Sequence, residues 1–180
     1  MNTKPPTSAV QDSDDLSEQL ESLFDAAQGE ILGTLYYLVG NMEDARDALQ
    51  EAFLKCWRKR DQIGDVTNLK AWVFRVALNT GRDFRKAAWN RKRESIAEEA
   101  VMVSTADGPD AGLMRDEEVS RLHNAVLGLR PEEQEVFLLR QNGDMTYEQI
   151  SQATSLPIGT VKTRMRAAIR QLRESVGAQA

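Results

Sequence analysis

Lys162, Arg166, Arg170 and Arg173 recur at spacings of three and four residues near the end of the chain, which lines four cations along one face of a helix. Such a row can neutralise the phosphates of a nucleic acid. Val161, Met165, Ala168, Ile169 and Leu172 fill the opposite stripe and face a core. Just upstream, Thr146 and Gln149 have capping-box spacing, so a short helix starts at Thr146 with Ile150 and Ala153 as its apolar side. Thr154-Ser155-Leu156-Pro157 breaks it, because proline removes a backbone donor and disfavours helix in the residue before it. The pattern is a helix-turn-helix whose second helix is basic. A second basic run, Arg82 to Arg93, carries six cations and one acid, Asp83.

The remaining reactive residue types do not assemble into a catalytic or metal site. His123 stands alone beside the apolar stripe of a helix, and Cys56 is the single cysteine, without the clustered spacing that zinc requires. No glycine-rich phosphate loop follows a strand. The reading is therefore of a protein that is not an enzyme and uses no cofactor, no metal and no small-molecule substrate. Formal net charge over 180 residues is −5, unusual for a chain that binds DNA unaided, so the positive charge is localised. One cysteine excludes an internal disulfide framework and fits a reducing cytoplasm. No apolar run has the length of a membrane helix, so no direct membrane insertion is expected.

Helical periodicity positions these groups, and no strand pattern competes with it. The fold class expected is all-α, with two small helical domains at 14–94 and 116–175 joined by a flexible acidic linker at 95–115 and preceded by a disordered arm at 1–13. In the first domain, Leu20, Leu23, Phe24, Ala27, Ile31, Leu35 and Leu38 mark a helix ending at Gly40-Asn41, with Gly29 and Gly33 allowing a kink. A second helix runs from about Glu43 to Arg58, and Asp61 to Asn68 reads as a loop. Thr67 can cap a third helix whose buried stripe is Leu69, Trp72, Val73, Val76 and Ala77. Asn79-Thr80-Gly81 predicts an interruption before a fourth, basic helix from Asp83. In the second domain, Val119, Leu122, Val126 and Leu129 form a stripe, and Pro131 starts the next helix, which Asn142-Gly143 ends.

Three segments in this order, Asp44–Leu54, Ala71–Thr80, and Leu129–Gln134 leading into Thr146–Arg173, resemble an extracytoplasmic-function (ECF) sigma factor of the sigma-70 superfamily. The resemblance spans nearly the whole chain outside arm and linker. It implies a core RNA polymerase partner, promoter DNA and an anti-sigma factor. By the resemblance, Asp44, Asp47, Gln50, Glu51 and Leu54 would dock on the polymerase clamp helices. Asn79 and Asp83 would read a base of the melted −10 element, while Arg82, Arg85, Lys86, Arg91 and Arg93 hold its phosphates. Gly159, Thr160, Lys162 and Thr163 would approach base edges at −35, with Lys162 on a guanine, and Arg164, Arg166 and Arg170 would take phosphates. Capping roles for Asn79, Asp83 and Thr160 stay open on residue type alone. The rival class is a stand-alone helix-turn-helix repressor or activator, which would dimerise on two half-sites; no coiled-coil seam supports one.

Overall fold

The computed structural model describes the backbone of residues 8–98 and 117–177, all of it helical or connecting helices. Helix α1 (Ser8–Val39) and α2 (Met42–Arg58) lead through a 3-10 turn (Arg60–Asp65) to α3 (Leu69–Glu98); α4 (Glu117–Leu127), α5 (Pro131–Gln141), α6 (Tyr147–Thr154) and α7 (Ile158–Gly177) make the second unit. The all-α expectation holds. Helix α1 starts at Ser8, inside the arm expected to be disordered over 1–13, because no proline or glycine separates Ser8 from the buried stripe that begins at Leu20. Residues 1–7 and 99–116, most of the expected linker, lie outside the described residues. Its first residues, 95–98, continue α3.

Leu20, Phe24, Ala27, Ile31, Leu35 and Leu38 of α1 are buried at the anticipated spacing. The helix passes through Gly29 and Gly33 and stops at Gly40, whose φ of +91° suits glycine. Asn41 then caps α2: its Oδ1 accepts from the Asp44 backbone N–H at 2.8 Å, and its Nδ2 donates to the Asp44 carboxylate at 2.8 Å. Ala45, Ala48, Leu49, Ala52 and Cys56 form the buried face of α2, and burial pushes the Cys56 thiol up to about 12. Phe53 packs edge-on to Phe24 at 5.0 Å and stacks on Trp57 at 5.9 Å.

Helix α3 departs from the sequence reading in two places. Asn68, not Thr67, caps it, its Oδ1 accepting from the Ala71 N–H at 3.0 Å. No interruption occurs at Asn79-Thr80-Gly81. The Thr80 hydroxyl donates to the Val76 carbonyl at 2.9 Å and accepts from Lys55 Nζ at 3.2 Å, so its polar group is satisfied within a continuous helix. Gly81 lies so close to α1 that a Cβ there would come within 2.9 Å of Leu35 Cδ2. Packing against α1 and α2 thus overrides a local sequence that favours a break. The buried face is also wider than the expected stripe, adding Ala71, Phe74 and Leu78. In α4 and α7 the reverse holds: Leu122 and Ile169, expected to be buried, are 49% and 37% exposed.

The two helical units press against each other. A single apolar cluster joins Leu35, Phe74 and Leu78 to Val136, Leu139, Met145, Ile150 and Ala153, and a smaller one gathers Val126, Leu129, Leu138, Ala168 and Leu172 within the second unit. At the seam, His123 Nδ1 lies 3.1 Å from the Tyr37 hydroxyl, and Arg75 donates to the Gln152 carbonyl. Gly143 is pinned there, since a Cβ would meet the Leu139 carbonyl at 2.8 Å and Phe74 Cε1 at 3.4 Å. The Leu139 backbone cannot yield without disturbing α5. Gly143→Ala is therefore expected to cost about 1–3 kcal/mol. Gly29→Ala, at an exposed mid-helix site with open space around it, should gain about 0.5–1 kcal/mol. Urea unfolding of both variants checks the opposite signs.

Burial holds the His123 imidazole below its usual 6.5, so the neutral ring is the form that fits the seam. A depressed folded-state value means that the unfolded chain binds the extra proton more readily. The contribution of His123 is complete above its unfolded value and is lost as pH falls through the folded one. His123→Phe, which keeps a ring and removes the titration, is expected to flatten the fall in melting temperature below about pH 6.5. Parallel wild-type and variant melts across that range measure it.

Candidate nucleic-acid interface

Helix α7 is aimed by the short helix before it. The capping box at the start of α6 forms in full: the Thr146 N–H donates to Gln149 Oε1 at 2.8 Å, and the Gln149 N–H donates to Thr146 Oγ1 at 3.2 Å. Ser155 ends α6 in the left-handed region at φ 58°, and the Leu156 N–H returns to the Ser151 carbonyl at 3.2 Å. The Pro157 carbonyl then accepts from the Thr160 and Val161 N–H groups at 2.9 and 3.1 Å as α7 opens. Val161, Met165, Ala168 and Leu172 face inward.

Among the expected −35 residues, Gly159, Lys162, Thr163, Arg166 and Arg170 are exposed, and helical geometry gathers them on one face together with Arg173. Thr160 and Arg164 are half-buried and fall roughly 100–140° around the helix from Gly159, beside that face rather than on it. No atom lies within 4 Å of a Cβ built on Gly159, so the first turn of α7 is open to a close approach. The backbone hydrogen bond at Glu148, with the Thr146 hydroxyl and then Lys162 adding, holds the fully exposed Glu148 carboxyl below its usual range.

On α3, Asn79, Asp83, Lys86, Arg91 and Arg93 are exposed, and Arg82 and Arg85 are half-buried. Asn79, Arg82, Lys86 and Arg93 share a stripe with Trp89, the most exposed large apolar residue among those described at 64%. Arg91 lies about 120° around the helix from Asn79 and is not brought to the stripe. Arg82 Nη1 donates to Asn79 Oδ1 at 2.8 Å, joining two of the expected residues directly. Its other edge forks onto Glu135 of α5, with Nε to Oε1 at 2.8 Å and Nη2 to Oε2. That hydrogen bond raises the Arg82 guanidinium above its usual value against the opposing effect of burial. Asp83 turns instead toward α2, 3.6 Å from Lys55 Nζ.

Asp47 and Gln50 on α2 are exposed and Leu54 is 39% exposed. Glu51 stands beside them, half-buried, with Lys55 at 4.0 Å and Arg58 at 3.9 Å. These four residues follow helical spacing along one stripe. Asp44 is half-buried in the cap with Asn41 and so has a structural duty of its own. Next to the stripe runs a groove of about 440 Å³ between α1 and α2, floored by Phe24, Leu32, Leu49 and Phe53.

Sequence reasoning missed Glu135 and Lys55. The available signal for Glu135 was its position four residues before Leu139, which puts an acid on the buried side of α5. Lys55 had no such mark. Among the described residues no group of three or more His, Cys, Asp or Glu side chains could hold a metal ion, and no helix is long and apolar enough to cross a membrane.

The family model for sigma-70 region 2 matches residues 23–91, and that for sigma-70 region 4 matches residues 120–172. The RNA polymerase sigma-H factor of Pseudomonas aeruginosa is 27% identical over 146 residues, covering 77% of this chain and 76% of its own. The ECF RNA polymerase sigma-E factor of Escherichia coli K12 is 27% identical over 131 residues, 68% of each chain. Two solved structures share the fold. The sigma factor RpoE of Bartonella quintana, in complex with the anti-sigma factor NepR, superposes with a TM-score of 0.69 at 23% identity over 92% of this chain and 99% of that one. CnrH in complex with the cytosolic domain of CnrY gives 0.68 at 19% identity over 96% of each. Two matched regions in order, on the helices that carry the basic surfaces, place the chain in the sigma-70 family in its ECF form, non-enzymatic factors that bind core RNA polymerase and recognise promoter DNA.

Proposed function

We propose that the chain reads the −35 duplex through α6 and α7 and captures the melted −10 strand on α3, while α2 docks on the polymerase clamp helices. Residues 14–94 and 116–175 divide these tasks. The observation that carries this reading is that three helices present three outward faces of different chemistry. The α7 face is a cationic row fit for major-groove phosphates, with Lys162 nearest a base edge. The α3 stripe alternates cations with an amide and an indole, as a single strand requires for its phosphates and unstacked bases. The α2 stripe sets Leu54 among Asp47, Gln50 and Glu51, an apolar contact ringed by polar ones. The factor acts in the cytoplasm, and an anti-sigma factor binds it, as NepR is bound in the complex with RpoE of Bartonella quintana.

Net charge of −5 opposes unaided binding to DNA. At physiological salt the free chain is expected to bind promoter duplex weakly, and core polymerase should convert two weak contacts into one linked event. A DNA titration with and without core enzyme measures this. Tight, sequence-specific binding by a dimer of the isolated chain on a palindrome would instead identify a self-sufficient repressor or activator.

Within the −35 surface, Lys162→Ala is expected to relax discrimination at one promoter position by about 1–3 kcal/mol. Arg170→Ala should weaken all sequences alike and lower the salt slope. Holoenzyme binding to a randomised −35 library separates the two signatures. A uniform loss for Lys162→Ala would move it to the phosphate-contacting group.

A further inference from the structure

We infer that Glu135 is an internal stand-in for a DNA phosphate: in the closed chain its carboxylate occupies the Arg82 fork beside Asn79 and keeps that guanidinium from the strand, while Asn79, Lys86, Trp89 and Arg93 of the same stripe stay exposed. The inference rests on the reading of α3 as a DNA surface and adds a device that controls it. Arg82 gives its Nε and Nη2 edge to the two oxygens of Glu135, and Nη1 to Asn79. A carboxylate and a phosphate present the same pair of oxygens to that edge, so the two compete for one site. Glu135 is only 5% exposed, inside the seam between α3 and α5. No phosphate can reach the fork while α5 remains seated.

The other working faces are not covered in this way. Lys162, Arg166 and Arg170 on α7 and Asp47, Gln50 and Leu54 on α2 are exposed in the same closed arrangement. Polymerase can therefore dock on α2 before the seam parts. Separation of α5 from α3 then frees the Nε and Nη2 edge of Arg82, while its Nη1 stays beside Asn79 within α3, so the opened fork stands next to the amide. The Arg82 contribution to single-strand capture is thereby made conditional on opening, and full affinity is reached only in the fraction of chains that are open.

The test uses the full chain, a short single-stranded DNA of mixed sequence, and small-angle scattering to follow separation of the two units. Glu135→Gln, nearly isosteric, should increase the radius of gyration and tighten binding of the single strand by about tenfold. The exchange Arg82→Glu with Glu135→Arg should restore the compact form and leave single-strand binding weak. An unchanged radius for Glu135→Gln would overturn the latch. Expansion without tighter binding would overturn the phosphate-mimic assignment. The underlying reading of α3 fails separately: Lys86→Ala with Arg93→Ala, added to Glu135→Gln, would then leave single-strand affinity untouched.

Discussion

The unbroken course of α3 is the constraint on which the rest depends. Its first half is core, with Val73, Phe74, Ala77 and Leu78 almost without exposure, and from Lys86 to Arg93 it is a largely exposed cationic rod. A break at Gly81 would let the rod swing free of the core. Close packing prevents that: Leu35 and Leu38 of α1 fill the space beside Gly81, and Lys55 of α2 caps the Thr80 hydroxyl from outside. Asn79 and Arg82 are thereby held in fixed relation to a well-packed core, as the proposed capture of an extruded base requires.

The same helix is the wall against which the second unit packs. Phe74 lies at the seam with Gly143, and Arg75 and Arg82 supply its polar contacts to Gln152 and Glu135. Apolar burial draws the units together without direction. The bidentate ion pair and the His123–Tyr37 contact fix how they meet, since each tolerates little displacement. Lys55 extends this order to α2, where one ammonium lies within reach of Glu51, Asp83 and Thr80. The proposed polymerase face and the proposed −10 face are therefore parts of one electrostatic network.

What was legible in the sequence was mostly local. The capping box at Thr146 and Gln149, the stop before Pro157 and the cationic row of α7 were readable because every partner lies within a few residues. Helix α3 was misread at Gly81 because the groups that keep it straight sit on α1, far back in the chain. The choice of Asn68 over Thr67 as cap was also invisible, because two residues competent to cap stand side by side. Glu135 and Arg82 meet across 53 residues of sequence. Periodicity can show that an acid lies on an inward face, but not which cation waits there.

Cys56 gives the molecule an experimental property of a different kind. Its side chain is fully buried and its thiol is held protonated to about 12, so the nucleophilic thiolate is scarcely populated near neutrality. To maleimides and other thiol-directed dyes the folded chain is effectively cysteine-free. Labels introduced on α3 and α5 would report the distance across the seam without background from the native sulfur, and opening could be watched in the intact protein as it meets polymerase.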